Sequence, residues 1–125
     1  MINGLYDNID LLKKGLDASW LRNKVIANNI ANVDTPGFKA SSVEFESEFK
    51  RALESGISLG RNKGVSLDNV TPKIVQNSDA SLREDGNNVD IDHENIELAK
   101  NSILYNELVV QVSGEFKRLG SAIKG

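Results

Sequence analysis

Cysteine is missing from the 125-residue sequence, and histidine occurs only once. The absence of cysteine excludes disulfide bonds, thiolate metal sites and a cysteine nucleophile. With a single histidine, no zinc site built on two histidines can form. The sequence also has neither a GxSxG elbow nor a glycine-rich phosphate loop. We therefore expect a protein without enzymatic activity, catalytic residues, bound metal or cofactor.

Long apolar runs and clustered positive charge are missing as well. No apolar run approaches the roughly 18 residues that a transmembrane helix needs, so we expect no direct membrane span. The net charge is −3, from 15 basic and 18 acidic residues that are scattered along the chain, which argues against a nucleic acid partner. The N-terminus lacks the pattern of a secretory signal, and any export is therefore expected to occur without a cleaved signal peptide.

The first part of the chain has a seam whose residues alternate at spacings of four and three, as in a coiled coil. Two of its positions, Ser19 and Asn23, are polar. Because Pro36-Gly37 interrupts helical geometry, we predict a helix over residues 6–33. The seam consists of Leu5, Ile9, Leu12, Leu16, Ser19, Asn23, Ile26, Ile30 and Val33.

The last part of the chain repeats this design and predicts a helix over residues 91–123. Acidic residues at its start and basic residues at its end match the helix dipole. Asp92 is the predicted N-cap, with Asp90 as the alternative. The second seam consists of Ile91, Asn95, Leu98, Ser102, Tyr105, Val109, Val112, Phe116, Leu119 and Ile123.

Residues 34–90 separate the two helices and are predicted to contain a turn, a short helix and a loop region. Ser41 and Glu44 fit a capping box, which predicts a helix with Ser41 as its N-cap. An apolar face on this short helix would be formed by Phe45, Phe49 and Leu53.

The segment 57–88 is rich in glycine, serine, asparagine and aspartate, a composition typical of loops. It has a weak strand tendency at Lys73–Gln76 and a turn signal at Asp85-Gly86. We therefore expect an irregular middle segment with only weak β character.

Together these elements predict a mainly α protein with a single domain over residues 1–125. The two long terminal helices are expected to pair as an antiparallel coiled coil, with a short amphipathic helix and an irregular, weakly β middle segment. Such a hairpin buries one seam of each helix, but Trp20, Ile96 and Ile103 lie outside the seams. Either the middle segment covers these side chains, or they pack against other copies or related subunits, which is the interpretation we favour.

Three asparagines lie within five residues near the end of the first predicted helix, at Asn28, Asn29 and Asn32. Each costs about 0.6 kcal/mol relative to alanine in a helix, so we expect their amides to make contacts. The alternative is that they are polar residues facing water at a helix end. Just after them, valine in place of Gly37 should weaken assembly if the Gly37 backbone has a positive φ.

Two segments of the chain resemble the bacterial flagellar basal-body rod family. The first is Leu16–Lys39, LDASWLRNKVIANNIANVDTPGFK, a segment shared by rod and hook proteins. The second is Asp85–Val109, DGNNVDIDHENIELAKNSILYNELV, which is most similar to proximal rod subunits. The short chain agrees with this resemblance, since hook and distal-rod relatives carry large inserted domains that are missing here.

The resemblance implies a structural subunit of the proximal rod, the part of the motor drive shaft that joins the membrane ring to the distal rod. It implies self-assembly through the terminal helices and export by the flagellar type III apparatus. The implied partners are copies of the chain itself, other rod subunits and the adaptor to the membrane ring. The implied location is the rod of the basal body, in the periplasmic space of the cell envelope.

The residues expected to matter for assembly form two sets. The assembly motif comprises Asn28, Asn29, Ile30, Asn32, Thr35, Pro36, Gly37 and Phe38. The helix seams contribute Leu12, Leu16, Ile26, Leu98, Tyr105, Val109, Val112 and Phe116. A cytosolic coiled-coil adaptor or export chaperone is the alternative function, because it also accounts for both heptad patterns and the acidic pI.

Overall fold

The computed structural model describes residues 2–51 and 69–125, which are mainly helical. Helix α1 spans Ile2–Ala31, strand β1 spans Ser41–Glu44, and helix α2 begins at residue 46 and continues to residue 51. Strand β2 spans Lys73–Gln76, and helix α3 spans Ile91–Lys124. Leu53 and the first part of the predicted loop, residues 57–68, lie outside the described residues. Within the described ranges, no helix has the length and apolarity needed to cross a membrane.

Helices α1 and α3 run past each other in opposite directions. Ser19 is hydrogen-bonded to Asn101, and nearer the start of α1 a Cβ at Gly15 would lie 3.4 Å from Cδ1 of Leu108. Residue numbers on α1 therefore fall as those on α3 rise. Both helices are longer than predicted at one end, since α1 begins before residue 6 and α3 continues to Lys124. At its other end α1 stops at Ala31, short of the predicted residue 33.

The two strands form an antiparallel pair in which Val43 lies opposite Ile74. Strand β2 coincides with the predicted strand segment. The capping box predicted at Ser41 is wrong, because Ser41–Glu44 is a strand rather than the start of a helix. The chain becomes helical only after Phe45, whose carbonyl accepts a hydrogen bond from the amide of Phe49 at 3.0 Å.

A small core lies between α1 and the middle segment. It is built on Ala18, Phe45 and Val70, with Leu11 and Phe49 packed against it. The rings of Phe45 and Phe49 stack with their centroids 5.4 Å apart. The middle segment thus covers one face of α1, as the alternative interpretation expected, but only in part. Trp20 is still 55% exposed.

The predicted helix seams are only partly buried between α1 and α3. Ser19 and Ile26 are buried, but Asn23 is exposed and the deepest residue on this part of α3 is Asn101 rather than Ser102. A straight helix has 3.6 residues per turn, so a strict heptad seam rotates by about 20° per heptad away from its partner. Of the seam residues expected to matter for assembly, the half-buried ones are Leu12, Leu16, Leu98 and Val112, and the exposed ones are Tyr105, Val109 and Phe116.

The N-cap of α3 is Asp90, so the prediction of Asp92 is wrong and the alternative is right. The Asp90 carboxylate accepts hydrogen bonds from the backbone amides of Asp92 at 3.1 Å and His93 at 3.2 Å. These bonds satisfy two of the four amides that have no partner inside a helix at its N-terminus. Asp92 itself lies in the first turn, where its charge favours the helix dipole.

The core contact predicts a clear difference between two phenylalanines. Phe45→Ala should lower the free energy of unfolding by about 3–5 kcal/mol, because it removes a buried ring. Phe116 is 55% exposed, and Phe116→Ala should lower it by less than about 1 kcal/mol. Urea denaturation followed by the fluorescence of Trp20 measures both. Equal losses in the two variants would contradict the described core.

Candidate assembly site

The asparagine motif closes a junction between the end of α1 and β1, and Asn29 is its most buried member. Asn29 has no exposed surface. Its Nδ2 donates to the carbonyl of Ser41 at 2.7 Å, and its Oδ1 accepts from the amide of Ser41 at 3.0 Å. One side chain therefore satisfies both backbone groups of the first residue of β1. The amide is used inside the chain, which explains why asparagine is accepted at this helical position.

The other two asparagines of the motif order the end of α1. Nδ2 of Asn32 donates to the carbonyl of Asn28 at 2.7 Å, and Oδ1 of Asn32 accepts from the hydroxyl of Thr35 at 3.1 Å. The backbone amide of Thr35 also donates to the carbonyl of Asn32 at 3.0 Å. These bonds turn the chain directly after the helix. Asn28 is exposed, and of the three it is the one that matches the expectation of a residue facing water.

Asn87 is fully buried and holds the turn after α1 from the other side. Its Nδ2 lies 2.8 Å from the carbonyl oxygen of Asn32 and 2.9 Å from those of both Val33 and Thr35. Its Oδ1 accepts from the amide of Val89 at 2.8 Å. Carbonyl groups at a helix end lack partners within the helix. Asn87 supplies a hydrogen-bond donor to these carbonyl groups. It therefore acts as a C-terminal cap for α1 from a position 52 to 55 residues away along the chain.

Arg83 adds a positive charge at the same helix end. Its guanidinium donates to the carbonyl of Val33 at 2.7 Å and pairs with Asp85 at 2.9 Å. A cation near the C-terminus of a helix interacts favourably with the helix dipole. The turn preceding α3 is therefore fixed to the end of α1 by an amide and a guanidinium together.

Two glycines with a positive φ lie where the two turns meet. Gly37 has φ +72° and Gly86 has φ +78°, so the condition attached to the valine substitution at Gly37 is met. A Cβ on Gly86 would lie 3.6 Å from Cα of Gly37. The amide of Gly37 donates to the carbonyl of Asp85 at 2.8 Å, and Lys39 donates to the carbonyl of Gly86 at 2.8 Å. The predicted turn at Asp85-Gly86 thus packs directly on the turn at Pro36-Gly37.

Asn88 extends the junction towards the two strands. Its Oδ1 accepts from the amide of Ala40 at 2.6 Å, and its Nδ2 donates to the carbonyl of Asn77 at 3.1 Å. Neither Asn87 nor Asn88 is among the site residues predicted from the sequence. The signal that could have found them is a second pair of adjacent asparagines, placed between a turn and a helix N-cap.

The structure thus places the predicted motif residues in one junction, but not on one surface. Asn29 is buried and is used within the chain, whereas the exposed members lie around the turn. The half-buried residues are Ile30, Asn32 and Phe38, and the exposed ones are Asn28, Thr35, Pro36 and Gly37.

Helix α3 has a second apolar face that no described element covers. Asn101 faces α1, and Ile103 lies about 200° further around the helix, since each residue turns it by about 100°. Ile103 is 62% exposed, and Ile96 and Val110, one heptad away on either side, are 55% and 71% exposed. We call Ile96, Ile103 and Val110 the outer face of α3; the exposed Val109, Phe116 and Ile123 form a separate line, more than about 100° around the helix from it.

A charged contact links α1 to the middle segment. Arg22 lies 2.6 Å from Oε1 of Glu46 and donates to the carbonyl of Val43 at 3.2 Å.

On α3, the hydrogen bond from Lys100 lowers the pKa of Glu97, against the opposing effect of its partial burial. Within the described residues, no group of three His, Asp or Glu side chains is placed to hold a metal ion.

Comparison with known proteins assigns this architecture to a class. Residues 14–39, which include the asparagine motif, match the family described as "Flagella basal body rod protein". The chain is 38% identical over 120 residues to the flagellar basal body rod protein FlgB of Bacillus subtilis (strain 168), covering 94% of this chain and 93% of that protein. It is 39% identical over 129 residues to FlgB of Borrelia hermsii, covering 94% and 96%.

A more distant relative extends the similarity over nearly the whole chain. FlgB of Escherichia coli (strain K12) is 28% identical over 137 residues, covering 99% of this chain and 98% of that protein. The chain belongs to the FlgB family of flagellar basal body rod proteins. It is a structural subunit of the flagellar rod, and its family is not one of enzymes.

Adjacent asparagines in the motif provide a matched test of the junction. Asn29→Asp should lower the free energy of unfolding by about 3 kcal/mol or more, because it places a carboxylate oxygen against the carbonyl of Ser41 in a buried site. Asn28→Asp, at an exposed position, should cost less than about 1 kcal/mol. Urea denaturation of both variants measures the difference. Equal stability of the two variants would contradict the role of Asn29.

The positive φ of Gly37 gives a second test. Gly37→Val should destabilise the fold by about 1–2 kcal/mol, because a β-branched residue strongly disfavours this backbone conformation. The space around Gly37 is open, with nothing within 4 Å of the position that a Cβ would occupy, so steric contact does not add to the cost. Gly37→Asn is the control and should cost less, since asparagine tolerates positive φ. Thermal unfolding measures the stability of both variants. Equal stability of the valine and asparagine variants would refute this account.

Proposed function

We propose that the chain enters the rod through its terminal helix pair, with α1 and α3 packed as an antiparallel coiled coil and the outer face of α3 in contact with neighbouring subunits. In this role the chain transmits torque in the proximal rod, between the membrane ring and the distal rod. Membership of the FlgB family supports the setting, and the contacts of the two helices support the mechanism.

The outer face of α3 is the observation that carries this proposal. Ile96, Ile103 and Val110 form a line along the helix at heptad spacing, and each is more than half exposed. Fully burying one such side chain contributes roughly 1.5–3 kcal/mol. Scattered apolar side chains on a surface need no explanation, but large apolar side chains aligned along one side of a helix are typical of an interaction site.

The contact between α1 and α3 supports the coiled-coil part of the proposal. The helices are antiparallel, and Gly15 of α1 faces Leu108 of α3. Ile26, Leu12 and Leu98 occupy seam positions and are at least half-buried. Side chains at this spacing are those that insert between residues of a facing helix in a coiled coil.

The asparagine junction supports a second part of the proposal, in which the motif fixes the direction of the middle segment relative to the helix pair. Asn29 and Asn87 bind the turn from opposite sides, whereas Asn28 and Pro36 are exposed to solvent. We propose that the outward residues of the turn contact neighbouring subunits, while the buried amides keep the turn in the shape those contacts need.

The proposed partners are copies of the chain, other rod subunits and the adaptor to the membrane ring. Export by the flagellar type III apparatus and a final location in the periplasmic part of the basal body complete the proposal. Family membership is the support for these assignments.

Substitution on the outer face of α3 tests the proposal. Ile103→Asp should reduce incorporation into basal bodies at least about tenfold, because assembly would bury an unpaired carboxylate. The position is 62% exposed in the single chain, so its folding should change little. Ile103→Leu is the control and should assemble normally. Incorporation is measured by mass spectrometry of purified hook–basal bodies, and folding by circular dichroism.

The opposite outcome separates the proposal from its alternative. If the folded Ile103→Asp variant enters basal bodies as well as Ile103→Leu, the outer face of α3 is not an assembly surface. If the natural chain is absent from basal bodies and is found as a cytosolic dimer, a coiled-coil adaptor or export chaperone replaces the rod subunit as the function.

A further inference from the structure

A polar pair is buried in the contact between α1 and α3. Ser19 and Asn101 are only 1% and 4% exposed. Nδ2 of Asn101 donates to the carbonyl of Ser19 at 2.9 Å, and the hydroxyl of Ser19 donates to Oδ1 of Asn101 at 3.1 Å. A single residue of the facing helix, Ser19, thus provides both an acceptor and a donor for the side-chain amide of Asn101.

The apolar residues in the contact do not define a unique alignment of the two helices. Both seams repeat every seven residues, so a relative slip of seven residues again places apolar seam positions opposite one another. The slip moves one helix along the other by about 10 Å. Leucine, isoleucine and valine side chains distinguish poorly between such alignments, because burial of apolar area is not directional.

The polar pair does distinguish between them. In the observed alignment Asn101 lies opposite Ser19. A slip of seven residues in either direction brings Asn101 opposite Leu12 or Ile26, neither of which has a side-chain hydrogen-bonding group. Oδ1 of Asn101 then loses the Ser19 hydroxyl and stays buried without a donor, whereas Nδ2 can still reach a backbone carbonyl. Leaving a buried acceptor unsatisfied costs more than a formed hydrogen bond contributes.

We infer that the Ser19–Asn101 pair fixes the register along the terminal helices, in addition to the junction in which Asn87 and Arg83 hold the turn before α3 at the end of α1. The register in turn determines which side chains of α1 lie beside which side chains of α3 on the surface of the helix pair. In the observed alignment a groove of about 260 Å³ is lined by Trp20 and Asn23 from α1 and by Ser102, Tyr105 and Asn106 from α3. A slip of one heptad separates these two groups. This inference concerns the folded chain itself and does not depend on the proposed function.

Disulfide trapping tests the register directly, because the chain has no cysteine of its own. Gly15→Cys with Leu108→Cys reports the observed alignment, in which these positions face each other. Gly15→Cys with Glu115→Cys, and Asn8→Cys with Leu108→Cys, report slips of one heptad in the two directions. Each pair is oxidised in dilute purified full-length chain, and the intrachain disulfide is quantified by mass spectrometry of the digested protein.

The observed alignment should give at least about ten times more disulfide than either slipped pair. Asn101→Leu should reduce this ratio about tenfold, since every alignment then buries only apolar groups around that position. Exchanging the pair, with Ser19→Asn and Asn101→Ser together, should restore the preference. The exchange distinguishes a register role from a general loss of stability.

Three results would overturn the inference. The first is a chain without preference for the observed alignment. The second is an Asn101→Leu variant that retains the full preference, which would show that the register is set without the polar pair. The third is an exchanged pair that fails to restore the preference while the chain remains helical by circular dichroism.

Discussion

The two hydrogen bonds between the Asn29 amide and the backbone of Ser41 determine where the chain goes after α1. They hold the first residue of β1 against the helix, and β2 pairs with that strand. Phe45 follows β1 directly and is thereby placed on Ala18, where the small core forms. Asn87 secures the same turn through the carbonyls at the end of α1. The position of the middle segment therefore depends on buried amides more than on apolar area.

This arrangement leaves the two terminal helices in unequal surroundings. Helix α1 is covered by the middle segment on one face and by α3 on another, whereas the described contacts of α3 are mainly with α1. The outer face of α3, with Ile103 and Val110 exposed, is the consequence. In a subunit of the flagellar rod, such a face is suited to helix packing between subunits, because association can bury its apolar side chains. The fold thus leaves an apolar face exposed on one helix and covers the other helix on two faces.

Periodicity and turn chemistry predicted the terminal helices, β2 and the turn at Pro36-Gly37, because local rules govern each of them. The capping box at Ser41 failed because a distant side chain, Asn29, binds the backbone that would begin a helix. The predicted seams failed in part at Tyr105 and Val109, since a heptad pattern cannot tell which of two adjacent apolar faces lies inside. Asn87 was missed because its carbonyl partners lie more than 50 residues away.

Cysteine labelling of the outer face of α3 tests the central claim most directly. Val110 is 71% exposed in the single chain, and the sequence has no competing thiol. A Val110→Cys variant should react rapidly with a maleimide as the free chain. In purified basal bodies it should react at least about tenfold more slowly, because neighbouring subunits exclude the reagent. Equal labelling of free and assembled protein would contradict the account, since the outer face would then remain open to solvent in the rod.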